Sequence, residues 1–173
     1  MRRLLLTAPV FALSALAATL VASGSSLLPV RQVRTTMPGV GGTLALRDQT
    51  YGSTARITLL RVIDPGTPSY PSRLRPGRGD RWVATLISIR GVRGRWVDGP
   101  SGDGRLIDSH NHRYRAFPSG YGTVEPRIPG TTDLTPGQFV QGNLVFELPK
   151  SARLRWFKYF VPGGDTGTWK LNR

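Results

Sequence analysis

WVATLISIR, residues Trp82 to Arg90, is the stretch that decides the fold. In an extended chain Val83, Ile87 and Ile89 share one face, and Trp82, Ala84 and Leu86 share the other. A strand apolar on both sides is a strand covered on both sides. On either side of it the chain repeats one theme, apolar runs of strand length separated by Gly and Pro. Thr43 to Leu46 is short. Ala55 to Ile63 (ARITLLRVI) is stronger and is closed by Asp64-Pro65-Gly66. Arg105 to Asp108 and Arg113 to Phe117 read as a hairpin about a polar SHN.

Further on, Phe139 to Leu148 (FVQGNLVFEL) turns Val140, Leu144, Phe146 and Leu148 to one face. Leu154 to Val161 (LRWFKYFV) is rich in aromatics, and Gly167 to Leu171 brings Trp169 and Leu171 together. Beyond residue 26 no segment keeps a 3.6-residue apolar period for ten residues. This predicts an all-β protein, an immunoglobulin-like β-sandwich of about seven to eight antiparallel strands preceded by a signal peptide. An up-and-down barrel is the alternative closure. The expected core contains Ile57, Leu59, Val83, Ile87, Ile89, Leu144, Phe146 and Phe157.

Composition agrees with a turn-rich fold. Gly and Pro make up 35 of 173 residues, about a fifth, against roughly 12% in average usage. At 39% hydrophobic and 20% charged, the chain can build one modest core and is not of disordered composition. The absence of cysteine excludes a disulfide framework, a thiolate zinc site, a cysteine nucleophile and a cysteine lipid anchor.

The N-terminus reads as an export signal. Arg2 and Arg3 precede an apolar run from Leu4 to Ala22 and a small polar exit, Ser23-Gly24-Ser25-Ser26. Cleavage between residues 22 and 25 is preferred over an uncleaved anchor, and ordinary secretion over twin-arginine export. The expected organisation is a signal peptide at 1–23, a flexible lead-in at 24–41 and the sandwich at 42–173. Without Arg2 and Arg3 the charge is still +12 of the original +14, so the basic character belongs to the folded domain. Two long connections, 64–80 and 118–137, are the loops most suited to function.

RVIDP (Arg61 to Pro65), GDRWVATLISI (Gly79 to Ile89), GRLIDSHNHRY (Gly104 to Tyr114) and above all LTPGQFVQGNLVFELPK (Leu134 to Lys150) carry a resemblance. The arrangement resembles a family of exported actinobacterial domains of unknown function, with the immunoglobulin-like fold of the mycobacterial immunoprotective extracellular antigen. In the last block Pro136-Gly137 sets a turn, Gly142 suits a bulge or close backbone approach, and Pro149 ends the strand. The chain departs from the family in having Arg90-Gly91 where an Asn is common, and in lacking the anchoring cysteine of many relatives. The resemblance implies a fold, an export route and a soluble secreted form, and it implies no catalytic residues.

Three groups of residues are candidates for chemistry. Asp108, His110 and His112 in DSHNH would project from one face of a strand, as a two-histidine, one-carboxylate metal platform does. The preferred reading is a polar hairpin tip, with no metal site. Asp108, Ser109 and His110 lack the geometry of a serine triad, and there is no G-x-S-x-G elbow. Asp98 and Asp103 flank Gly-Pro-Ser-Gly, where a hairpin turn is preferred over a calcium loop. Arginines cluster in RLRPGRGDR (Arg73, Arg75, Arg78, Arg81), in RGVRGR (Arg90, Arg93, Arg95) and at Arg153 and Arg155 beside Trp156. The first cluster is the candidate anion-binding site, because guanidinium pairs with phosphate and carboxylate.

The expected protein is therefore a secreted, non-enzymatic immunoglobulin-like binding or envelope-associated module with no cofactor. The sequence does not fix its partner, for which an anionic cell-envelope polymer and another protein are the candidates, and no span crosses a membrane after signal cleavage. The alternatives are a basic polyanion binder (cell-wall polymer, lipid headgroup or nucleic acid) and a secreted metal-dependent hydrolase using Asp108, His110 and His112.

Overall fold

The computed structural model describes residues 37–66, 75–118 and 124–171. WVATLISIR lies within its longest strand, β3 (Asp80–Arg93), which pairs on one side with β2 (Ser53–Ile63) and on the other with β8 (Phe139–Pro149). With β1 (Thr43–Asp48) these form a first antiparallel sheet, ordered β1-β2-β3-β8. The second is ordered β10-β9-β5-β6, from β10 (Thr166–Lys170), β9 (Leu154–Phe160), β5 (Gly104–Asp108) and β6 (Arg113–Arg115). The eight strands of these two sheets form the sandwich.

Between the sheets lies one apolar core. All eight core residues read from the sequence are buried in it, joined by Leu106, Tyr159 and Trp169 from the second sheet. Phe146 is fully buried at the centre of β8, so Phe146→Ala should cost roughly 3–5 kcal/mol through lost burial and a cavity. Chemical denaturation measures it, and a loss under about 1 kcal/mol would place this face outside the core.

The expected two-sided burial of β3 holds over part of its length. Trp82 and Ala84 are buried on the outer face with Val124 and Val145, and the Trp82 ring meets Phe117 edge-on at 5.0 Å. Further along the same face Leu86 and Ser88 are half-buried and Arg90 is exposed. Phe117 and Val124 cover only the first half, and Phe117 and Pro126 close the free edge of β8. Phe117 N–H donates to Val145 O at 2.8 Å, and Asn143 N–H donates to Pro126 O at 2.7 Å. Gly142 permits this crossing, since a Cβ there would lie 2.2 Å from Ile128 N. Pro136-Gly137 makes the expected turn, with Gly137 at φ +91° and Gln138 N–H donating to Thr135 O at 3.1 Å.

Two strands and a helix were not read from the sequence. β4 (Trp96–Asp98) and β7 (Thr132–Leu134) form a small third sheet, and α1 (Pro100–Asp103) joins β4 to β5. The turn expected between Asp98 and Asp103 is thus no hairpin, because the strands it joins belong to different sheets. Pro100, with its fixed φ, instead starts one helical turn.

The signal peptide read at 1–23 and most of the lead-in read at 24–41 lie outside the described residues. Pro38 to Gly42 are tied to both sheets. Gly41 N–H donates to Leu59 O at 2.7 Å, Lys170 N–H donates to Pro38 O at 2.9 Å, and Trp169 Nε1–H donates to Gly42 O at 2.8 Å.

Candidate functional site

Of the four loop arginines, Arg73 lies outside the described residues, and Arg75 and Arg78 are exposed. Arg81 is not available to a ligand. Its guanidinium grips Asp64 bidentately at 2.7 and 3.0 Å and donates to Pro149 O at 2.5 Å and Ala152 O at 2.9 Å. It joins the end of β2 to the β8–β9 connection, a structural task suited to the planar fork of donors.

DSHNH is the tip of the β5–β6 hairpin. One ligand atom each from Asp108, His110 and His112 lies within 4.8 Å of the others. The Asp108 carboxylate is buried and already bonded. Oδ1 accepts the N–H groups of His110 and His112 at 2.8 and 2.9 Å, and Oδ2 accepts the Tyr114 hydroxyl at 2.9 Å and sits 3.0 Å from His112 Nδ1. Burial works against its charge, yet these hydrogen bonds outweigh burial and hold its pKa down to about 2. The chemistry so built is that of a turn anchor. Both imidazoles stand exposed at the tip, and Asn111 takes a left-handed φ of 65° between them.

Asp98 points inward. Its buried carboxylate accepts Trp96 Nε1–H at 2.8 Å, the Tyr159 hydroxyl at 2.6 Å and the Thr132 hydroxyl, joining the small third sheet to β9. Burial nevertheless raises its pKa. Burial, then the nearby Asp98 charge, also pushes Asp103 up from 3.8 to about 6. A carboxyl with a raised folded pKa favours the fold most below pH 4, and that contribution is lost as pH rises through 6. Asp103→Asn should therefore raise the melting temperature at pH 7.5, with the gain fading as pH falls to 4. Melting curves across that range test this, and a gain independent of pH would contradict it.

Among the described residues, a dense assembly of positive charge lies on the outer face of the second sheet. Register places Arg115 opposite Arg105, Arg105 opposite Lys158, and Lys158 opposite Thr168, one row across four strands. The adjacent row runs Lys170, Trp156, Ile107, Arg113. Strands lie about 4.8 Å apart and successive outward residues about 7 Å, so five cations occupy one small grid. The only carboxylate within these four strands is that of Asp108, buried and bonded as above.

Arg105, Arg113, Arg115 and Phe160 line a cavity of 440 Å³ on this face. Arg105 is held by donating to Gly102 O and Gly104 O at 2.6 and 2.7 Å. Burial first, and then the Arg115 charge, lower its pKa, with Asp103 partly opposing. Beside the grid the Arg155 guanidinium lies 5.1 Å from the centre of the Trp156 ring. Like charges set directly opposite destabilise a sheet, so the row costs the fold something and gives a bound anion converging donors.

In the sequence Arg155 and Trp156 stand out as a cluster, and the rest of the grid does not. A pattern of RLI, RYR and WFK at alternate positions held the signal, hidden until pairing brought three distant segments side by side.

No protein-family model and no curated protein matches the chain. Solved structures do. The yjhA protein of Bacillus subtilis is 13% identical, with a TM-score of 0.55, over 79% of this chain and 100% of its own. A putative lipoprotein of the same organism, ycdA, is 13% identical, with a TM-score of 0.51, over 74% of this chain and 38% of its own. MPT63, a secreted protein from Mycobacterium tuberculosis, is 12% identical, with a TM-score of 0.60, over 78% of this chain and 96% of its own. At these identities the likeness is one of fold, and the chain shares its β-sandwich with a secreted mycobacterial protein.

Proposed function

We propose that this protein is a secreted, non-enzymatic β-sandwich module that binds an anionic glycan polymer of the cell envelope. The polymer has a sugar or polyol backbone bearing phosphate or carboxylate groups, and it lies on the outer face of the β10-β9-β5-β6 sheet. The observation that carries this is the row Arg115–Arg105–Lys158, three cations directly opposite one another with no carboxylate among them. Export is supported by the signal-like residues 1–23, and the resemblance to exported actinobacterial domains agrees with it. A non-enzymatic role is supported by the Asp108 carboxylate, whose oxygens are taken up by the hairpin's own donors as a turn anchor.

Two features favour a glycan over other anions. Trp156 and Phe160 are half-buried and Trp156 already faces Arg155, whereas single-stranded nucleic acid calls for open aromatic platforms. A membrane surface calls for protruding apolar side chains, and the exposed Val92, Val97 and Phe139 lie off this face.

The test compares two variants of equal charge. Arg105→Gln, Arg115→Gln, Lys158→Gln alters the face, and Arg75→Gln, Arg78→Gln, Arg153→Gln alters loops. Binding to poly(glycerol phosphate), to single-stranded DNA and to anionic vesicles is titrated at several salt concentrations. The face variant should lose about tenfold or more in affinity for poly(glycerol phosphate) and about 2–3 of the salt slope, with little change in the loop variant. Equal losses would overturn the site. Tighter binding to DNA or vesicles would overturn the partner.

A further inference from the structure

Among the described residues the sandwich has a second open face, on the opposite side. On the β1-β2-β3-β8 sheet Phe117 and Val124 cover the half around Trp82, and among the described residues nothing covers the other half. There the register sets Ala45, Arg56, Arg90 and Phe139 in one row, and Thr43, Thr58, Ser88 and Gln141 in the next. Thr43, Ala45, Arg56, Thr58, Ser88 and Arg90 line a groove of 520 Å³.

Its chemistry is specific. Arg56 and Arg90 face each other across β2 and β3, and neither meets a carboxylate among the described residues. Arg90 lies 5.0 Å from the centre of the Phe139 ring, which is 56% exposed, and donates to Gly137 O at 3.4 Å. The Thr43 and Thr58 hydroxyls share a hydrogen bond of 2.7 Å. Two guanidinium groups, a row of hydroxyls and an open aromatic edge match a sugar backbone with anionic substituents, since each group has a counterpart in such a chain.

We propose that this groove is a second binding site for the same anionic glycan, so that one molecule holds two chains and cross-links them. This rests on the reading of the first face given above. The two outer faces of a sandwich point in opposite directions, so a single chain lying flat on one does not reach the other, and occupancy of both joins separate polymers. Neither face requires a second copy of the protein.

The experiment uses the full protein, shown to be monomeric by light scattering. Beads carry poly(glycerol phosphate), and fluorescent poly(glycerol phosphate) is free in solution. The wild type should bind the beads and draw the fluorescent chains onto them. Arg56→Gln, Arg90→Gln should still bind the beads, with affinity within about threefold, yet capture about tenfold less fluorescent polymer. Arg56→Lys, Arg90→Lys, which keeps the charge, should retain most of the capture.

Wild-type protein that binds the beads without capturing free polymer would overturn the second site and leave the first standing. Undiminished capture by Arg56→Gln, Arg90→Gln would do the same. No binding to the beads at all would overturn both.

Discussion

Replacing Asp98 by alanine is expected to cost about 3–5 kcal/mol of stability, among the largest effects of any polar substitution in the protein. The carboxylate is the common acceptor for the Trp96 indole, the Tyr159 hydroxyl and the Thr132 hydroxyl, all inside the domain. Alanine leaves three donors without a partner where Trp96 and Tyr159 are almost fully buried, and each unsatisfied donor costs roughly 1–3 kcal/mol, reduced where water enters. Asp98→Asn keeps one acceptor oxygen and should cost less. Urea denaturation of both variants checks the order. A loss under about 1 kcal/mol for the alanine variant would mean that the third sheet is not locked to β9 through this side chain.

The second large effect is on ligand affinity. With five cations on the outer face of the second sheet, a fourfold rise in salt should weaken binding of an anionic chain by about two orders of magnitude, through release of condensed counterions. Removing Arg105, Arg115 and Lys158 should reduce that dependence to about one order. The same substitutions should change stability in the opposite direction. Relieving like charges placed opposite one another should raise stability by about 0.2–1 kcal/mol per pair. Affinity that falls while stability rises separates a binding surface from a surface that merely solvates the fold. If affinity and stability both fell, the row would be structural.

The fold was legible wherever one strand carried its own pattern. Val83, Ile87 and Ile89 announced an inward face by alternation, and FVQGNLVFEL did the same for β8, so the core followed from local sequence. β4 and β7 were missed because three residues are too few to show a period, and because their pairing joins Trp96 to Leu134 with α1, β5 and β6 lying between them in sequence. The site was legible only in part. Arginine runs such as RLRPGRGDR are conspicuous in one dimension, but Arg81 within that run is bound to Asp64. The denser cluster comes from Arg105, Arg115 and Lys158, cations on three different strands, and no reading of any one strand reveals it. Charge aligned by strand pairing is long-range information, whereas charge aligned by sequence is not.

On the proposed reading, the outer face of the β10-β9-β5-β6 sheet contacts the polymer. Nuclear magnetic resonance titration with a short poly(glycerol phosphate), reading backbone amides and arginine Nε–H groups, maps that contact residue by residue. The largest changes should fall at Arg105, Arg113, Arg115 and Lys158 and at the Trp156 indole, with a second, smaller set at Arg56 and Arg90. Changes concentrated at Arg75 and Arg78, with both sheet faces unmoved, would contradict it.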